Sequence, residues 1–258
     1  MCYDDQARPP APPGTHSPAK GEDIVLTARD GNRFAAYAAF PEKPGEAQVI
    51  IYPDVRGLHQ FYKELALRFA EVGIPAIAID YFGRTAGLTD RSDGFDFKPH
   101  VAEIKLDTFS LDVRAAQDYL RQKTGPDTPT FIMGFCMGGT LTVMTGTDAQ
   151  FGFAGVIPFY AGMSRNYPGK GTVLDVGEQV KYPVLGLFGG ADQGIPEADV
   201  KKFDEKLDAA NVEHKIVIYP GAPHSFFDRR ATEFADASTD AWQRVLDFIG
   251  AKKREKAT

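Results

Sequence analysis

An apolar run, Pro129-Thr130-Phe131-Ile132-Met133, passes straight into Gly134-Phe135-Cys136-Met137-Gly138-Gly139, and a helix-compatible segment, Thr140 to Thr147, follows. A strand that turns directly into a helix restricts what the chain can build. The turn forces its middle residue into strained backbone geometry, and side chains on the flanking residues would collide with the adjacent strand and helix. Glycines on either side of a cysteine meet both demands, so Cys136 is expected at the tip of the turn. A small buried cysteine in a glycine-rich turn is the competing reading, because free Cys packs as a small hydrophobe. The hexamer alone leaves both open.

The rest of the chain supplies the context. Ile24 to Ala28, a turn at Arg29-Asp30-Gly31-Asn32, and Phe34 to Phe40 read as a hairpin. Gln48 to Tyr52 is an apolar, β-branched run of the kind buried on both faces of a sheet, and Ile74 to Ile79 reads the same way. Between them, Phe61, Leu65, Phe69 and Val72 recur at helical spacing until Gly73 ends the helix. Residues 81–105 lose all periodicity and are expected to form an irregular, lid-like segment. A helix is predicted over Leu106 to Arg121, strands over Ala154 to Phe159, Val184 to Phe188 and Lys215 to Tyr219, and helices over Glu197 to Ala210 and Phe234 to Ile249. Buried strands alternating with helices imply one α/β domain over residues 21–250, with a mostly parallel central sheet and helices on both faces. Residues 1–20, rich in proline, are expected to form an extended arm, and residues 251–258 a charged tail.

Bulk properties narrow the function classes. A length of 258 residues with 43% hydrophobic content allows a sizeable core. The net charge of -6 provides no basic footprint, which argues against nucleic acid as a partner. No apolar run approaches a membrane span, and the first residues lack a secretory signal pattern. Two cysteines, Cys2 and Cys136, make a disulfide framework a poor expectation and a reducing cytoplasm the expected location.

In an open α/β sheet the active site lies beyond the carboxyl ends of the strands. Past Val184 to Phe188 stands Asp192, and past Lys215 to Tyr219 stands His224. Asp192 alone fits an Asx-turn and His224 alone a loop histidine bonded to backbone. Taken with Cys136, the three supply a nucleophile, an acid and a base, each beyond its own strand. Among the five histidines, only His59 also follows a strand and competes as the base. In this reading His224 accepts the thiol proton and Asp192 fixes its tautomer. The backbone N–H groups of Met137 and Val55 would form the oxyanion hole.

G-x-nucleophile-x-G followed by acid and then histidine is the α/β-hydrolase order, with cysteine in place of the usual serine. More specifically, the chain resembles the dienelactone hydrolases (carboxymethylenebutenolidases). The resemblance rests on Tyr52-Pro53-Asp54-Val55-Arg56-Gly57-Leu58, Ile79-Asp80-Tyr81-Phe82-Gly83-Arg84, the Cys136 hexamer, Gly189-Gly190-Ala191-Asp192 and Gly221-Ala222-Pro223-His224-Ser225-Phe226-Phe227, and spans Ile24 to Ile249. It implies a Cys–His–Asp triad that cleaves an ester or lactone through a thioester, with no metal or organic cofactor. It also implies that an acid beside the oxyanion loop, here Asp54 where well-known members have Glu, helps control thiol ionisation. Arg84 matches an arginine that helps hold a substrate carboxylate. A second family arginine has no match in register, since Asp228 stands there and Arg229 follows.

Phe82, Phe95, Phe97, Tyr160 and Phe226 are candidate pocket residues, with Arg229 a further substrate contact. The expected partner is a small ester or lactone, anionic if Arg84 faces it; no oligomeric state is read from the sequence. Alternatives are a general esterase or thioesterase with the same triad, a thiol redox sensor with Cys2 as resolving thiol, and a catalytically inactive binding scaffold.

Overall fold

The computed structural model describes residues 5–43 and 45–255, with side chains through residue 251. Eight strands form one sheet: β1 (Ala19–Thr27), β2 (Arg33–Pro41), β3 (Gln48–Tyr52), β4 (Ala76–Ile79), β5 (Thr130–Phe135), β6 (Gly155–Phe159), β7 (Val184–Gly189) and β8 (His214–Tyr219), in the order β1-β2-β4-β3-β5-β6-β7-β8. The hairpin β1–β2 joins antiparallel and every pair from β4 to β8 is parallel. The apolar runs β3 to β7 are buried along their full length, as strands covered on both faces must be.

The helices follow from right-handed crossovers. From β3 the chain moves to β4 through α1 (Gln60–Glu71), then doubles back past β3 to β5 through α4 (Leu106–Thr124). That reversal of direction puts α1 and α4 on opposite faces. The closing helix α8 (Ala235–Glu255) joins α1 on its face, where Phe69 meets the sole tryptophan, Trp242, with ring centroids 4.7 Å apart. On the other face α4 packs next to α5 (Met137–Thr145), and α6 (Val173–Val176) and α7 (Glu197–Ala209) continue the layer. The direction change falls between β3 and β5, which opens a crevice beyond their carboxyl ends.

Two boundaries and the course of the arm differ from expectation. β1 already begins at Ala19, inside the stretch read as arm. The arm before it lies on the domain: Ala7, Pro9 and Pro12 are buried, Trp242 Nε1–H donates to Pro10 O (2.9 Å), and Ser17 N–H donates to Glu71 O (2.8 Å). The charged end beyond residue 250 continues α8 as far as Glu255.

The lid-like segment is also more ordered than expected. It contains two helical turns, α2 (Gly83–Ala86) and α3 (Lys98–Ala102), too short to leave a periodic signature. Between them Arg91 turns inward and donates to Asp80 through Nε (3.1 Å) and Nη2 (2.8 Å), and to the carbonyls of Thr89 (2.6 Å) and Gly87 (2.8 Å). Both members of the Asp80–Arg91 pair are almost fully buried. Asp80 also accepts the N–H of Phe82 (2.9 Å) and of Leu58 (3.1 Å), so one carboxylate ties the end of β4, the lid and the loop after β3 together.

Removing one partner from a buried ion pair strands the other charge, which costs about 3–5 kcal/mol. Arg91→Ala is therefore expected to lower the urea midpoint by that equivalent with an unchanged slope. In contrast, Gly250 lies inside α8 with open space where a Cβ would stand, so Gly250→Ala is expected to raise stability by about 0.5–1 kcal/mol in the same assay.

Candidate active site

The elbow has the geometry its glycines suggested. Cys136 takes φ 54° and ψ −115°, a positive φ that a non-glycine residue adopts only when its surroundings impose it. Its N–H donates to Phe159 O (3.1 Å) at the end of β6, and its carbonyl accepts the Thr140 N–H (3.1 Å) to start α5. The first turn of α5 presses against β3. A Cβ on Gly138 would stand 2.1 Å from Pro53 O and 2.3 Å from Tyr52 O, and one on Gly134 would stand 2.2 Å from Gly138 O. No side chain fits there. Cys136 itself is only partly covered. Met137, the first residue of α5, carries one of the N–H groups that a helix start leaves without an intrahelical partner.

Asp192 and His224 meet beyond β7 and β8. His224 Nδ1–H donates to Asp192 Oδ2 (2.6 Å), while Asp192 Oδ1 accepts the Gly194 N–H (2.8 Å). A carboxylate only accepts, so it holds the proton on Nδ1 and leaves Nε2 unprotonated. The acid is buried and the histidine side chain is 28% exposed, which suits a fixed orienter and an accessible base. The His224 ring lies 4.9 Å from the Tyr160 ring. Tyr160 directly follows Phe159, whose carbonyl receives the Cys136 N–H, so the elbow and the histidine flank one strand end.

The loop after β3 completes the ring of groups. Fully buried Asp54 accepts the Arg56 N–H on Oδ1 (2.9 Å), and its carbonyl accepts the Gly57 N–H (3.1 Å). Val55 sits between them, and among the described residues its N–H meets no acceptor. His59, the rival base, is buried and directs Nε2–H at Asp54 Oδ2 (3.4 Å). The Tyr81 hydroxyl donates to Pro53 O. Burial pushes the Tyr62 and Tyr81 hydroxyls well above the ordinary tyrosine range, and the negative charge of Asp54 adds to the effect on both.

The dienelactone hydrolase family model matches residues 34–252. The chain belongs to the dienelactone hydrolase family. A protein of Methylorubrum extorquens provisionally named a carboxymethylenebutenolidase is 31% identical over 233 residues, covering 88% of this chain and 79% of its own. One of Salmonella typhimurium with the same provisional name is 30% identical over 96% of this chain and 95% of its own. The crystal structure of a provisional dienelactone hydrolase from Klebsiella pneumoniae superposes with a TM-score of 0.79 at 25% identity, covering 91% of this chain and 99% of that one. This chain is thus a hydrolase of that family, on the α/β-hydrolase fold.

Against the family pattern, several expected substrate contacts fall elsewhere. Arg84 does not face the elbow: its guanidinium donates to Asp112 (2.8 Å), Asp30 (2.5 Å) and the Thr108 carbonyl (3.0 Å), fastening α2 to α4 and to the β1–β2 turn. Phe82 and Phe226 are fully buried, with no surface offered to a ligand. Tyr160 is likewise covered, and its hydroxyl donates to Asp228 Oδ2 (2.8 Å), so the residue that replaces the second family arginine holds a tyrosine in place. Arg229 is exposed. Phe95 stacks on His100 (5.3 Å, 11°) beneath the Arg91 guanidinium and packs the lid.

One cation beside the elbow was not expected from the sequence. Arg165, in the loop after β6, has Nη1 3.9 Å from Met137 Sδ, donates from Nη2 to Val101 O (2.7 Å), and lies 5.3 Å over the Tyr167 ring. Burial pushes the Tyr167 hydroxyl up to about 12, with the Arg165 charge opposing and the Cys136 sulfur reinforcing the shift, so all three share one region. Only its position in a long loop after a strand marks Arg165 in the sequence. A Gly138→Ala variant is expected to lose about 1–3 kcal/mol or more, because a methyl must enter a space filled by two carbonyls. Thermal unfolding reads this directly.

Proposed function

We propose that the chain hydrolyses a small carboxylic ester or lactone through a thioester on Cys136, with His224 and Asp192 completing the triad. The observation that carries this reading is the alignment at one sheet edge of a positive-φ cysteine and a histidine whose Nδ1–H is held by a buried carboxylate. Membership of the dienelactone hydrolase family supports the ester or lactone as substrate class.

A free thiol ionises near pH 8.5, so the attacking thiolate has to be made at neutral pH. His224 Nε2 takes the Cys136 proton as the sulfur adds to the substrate carbonyl. The carbonyl oxygen becomes an oxyanion held by the N–H groups of Met137 and Val55, the first strengthened by the start of α5. Collapse breaks the C–O bond, and the imidazolium returns its proton to the departing alkoxide. In a lactone that alkoxide stays attached and the ring opens. Water, deprotonated by His224, then hydrolyses the thioester and regenerates the thiol.

Two further residues have roles in this reading. Asp54 is a buried anion on the oxyanion loop, two residues along the chain from the Tyr52 carbonyl that touches Gly138. A neighbouring negative charge disfavours thiolate, so Asp54 keeps Cys136 protonated until His224 accepts the proton during attack. Arg165, not Arg84, faces the substrate. It is half-buried beside Met137 and has no carboxylate at ion-pair distance among the described residues, which supports an anionic group on the substrate. Cys2, the resolving thiol of the redox alternative, lies outside the described residues.

Cys136→Ala and His224→Ala are each expected to reduce turnover of p-nitrophenyl acetate by at least about a thousandfold, and substrate should protect the wild type from iodoacetamide. Full turnover in both variants would refute the triad. Asp54→Asn is expected to speed alkylation of Cys136 at neutral pH; slower alkylation would make Asp54 a proton acceptor instead. Arg165→Gln should raise KM about tenfold or more for a p-nitrophenyl ester bearing a free carboxylate, leaving the acetate unaffected. Arg84→Gln should change neither KM and should lower Tm.

A further inference from the structure

The oxyanion loop is held from two sides. On one side Asp80 accepts the Leu58 N–H, as described above. On the other side the fully buried Arg56 guanidinium reaches outward to two carboxylates. Its Nη2 lies 2.9 Å from Asp5 Oδ1 in the N-terminal arm, and its Nη1 donates to Asp93 Oδ1 in the lid segment. The two aspartates also clasp each other: Asp93 N–H donates to Asp5 Oδ2 (2.9 Å) and Asp5 N–H to Asp93 Oδ2 (3.3 Å). Arm, lid and oxyanion loop thus meet at one guanidinium.

The arm is drawn taut to this point. Trp242 holds Pro10 O, Ala7, Pro9 and Pro12 are buried, and Arg8 pairs with Glu64 of α1 (3.3 Å) and donates to Asp5 O (3.0 Å). Proline-rich chain is stiff and extended, so little slack separates the Trp242 anchor from Asp5. We infer that Asp5 is a positioning residue for catalysis, acting through Arg56 to hold the Val55 N–H in the oxyanion hole. This inference rests on the ester-hydrolase reading above for its catalytic part only.

The physical argument is one of charge and adjacency. A guanidinium stays protonated, so a buried one has to keep its counterions or move toward water. Loss of Asp5 removes one of the carboxylates that, among the described residues, lie at ion-pair distance from Arg56. Arg56 directly follows Val55, and its own N–H is fixed to the Asp54 side chain, so a shift of Arg56 is passed through that bond and the Val55 Cα to the Asp54–Val55 peptide plane, which carries the oxyanion donor. A misplacement near 1 Å in a catalytic group costs about a hundredfold in rate, and complete loss of one oxyanion donor about a hundred- to a thousandfold. Asp5 is itself partly exposed, with a side chain 37% open to solvent, so its removal leaves the core intact.

Asp5→Ala and Asp93→Ala in the full chain test this against wild type. Four quantities are read: amide hydrogen exchange over residues 54–58, kcat and KM for p-nitrophenyl acetate, the iodoacetamide rate of Cys136, and Trp242 emission as a monitor of arm docking. Asp5→Ala is expected to speed exchange over 54–58 and lower kcat about tenfold or more. KM should stay within about twofold, and the alkylation rate should hold near wild type. Asp5→Glu should recover part of kcat. Unchanged exchange over 54–58 with the Asp5 carboxylate removed would overturn the inference, as would faster exchange with an unchanged kcat. If the wild type turns over no ester at all, the ester reading falls, and the exchange result alone upholds or overturns the hold of Asp5 on the loop.

Discussion

The carboxyl edge of this sheet depends on how closely the first turn of α5 approaches β3. Backbone meets backbone there, with the carbonyls of Tyr52 and Pro53 occupying the space a Cβ on Gly138 would need. The same approach bends Cys136 into its positive φ and sets the Met137 N–H beside the loop that carries Val55. The backbone geometry of Cys136 and the placement of the Met137 N–H against the loop after β3 are therefore consequences of one packing distance between two adjacent elements. Packing of this kind has a single solution, because interiors are close to crystalline density and do not deform continuously.

Around that contact the ordering is done by charge. Asp80 gathers Arg91, Phe82 and Leu58; Asp112 and Asp30 gather Arg84; Arg56 gathers Asp5 and Asp93. The first two hubs fasten irregular backbone to a regular element, and the third joins three irregular segments to one another. Burial raises the Asp112 carboxyl above the ordinary range in spite of Arg84, which indicates how strongly desolvation acts at such a hub. The long connection from β4 to α4 can thus be short of regular structure and still well ordered.

Much of the framework was legible in the sequence because it is encoded locally. Buried parallel strands announce themselves as β-branched runs, and the residues following them lie at one end of the sheet whatever the loops do. That logic located Asp192 and His224, which the structure joins by a 2.6 Å hydrogen bond. Arg84 shows the limit. Its position after β4 matches the family pattern, but its partners Asp30 and Asp112 stand 54 and 28 residues away, and no local spacing reveals them. The arm failed to declare its docking for the same reason, since its anchor at Trp242 is 232 residues distant from Pro10. Burial likewise separates Phe82 and Phe226 from the substrate, although both stand beside motif residues.

The loop that carries Arg165 leaves the sheet at the end of β6 and, among the described residues, reaches the lid through the Arg165 bond to the Val101 carbonyl. Cys136, Asp192 and His224 stand on other connections, each anchored by its own strand. Residues in this loop can therefore drift during descent without disturbing the register of the sheet or the tautomer of His224. Divergence in what the members of such a lineage recognise is expected to accumulate there sooner than at the elbow, where even one added methyl has nowhere to go.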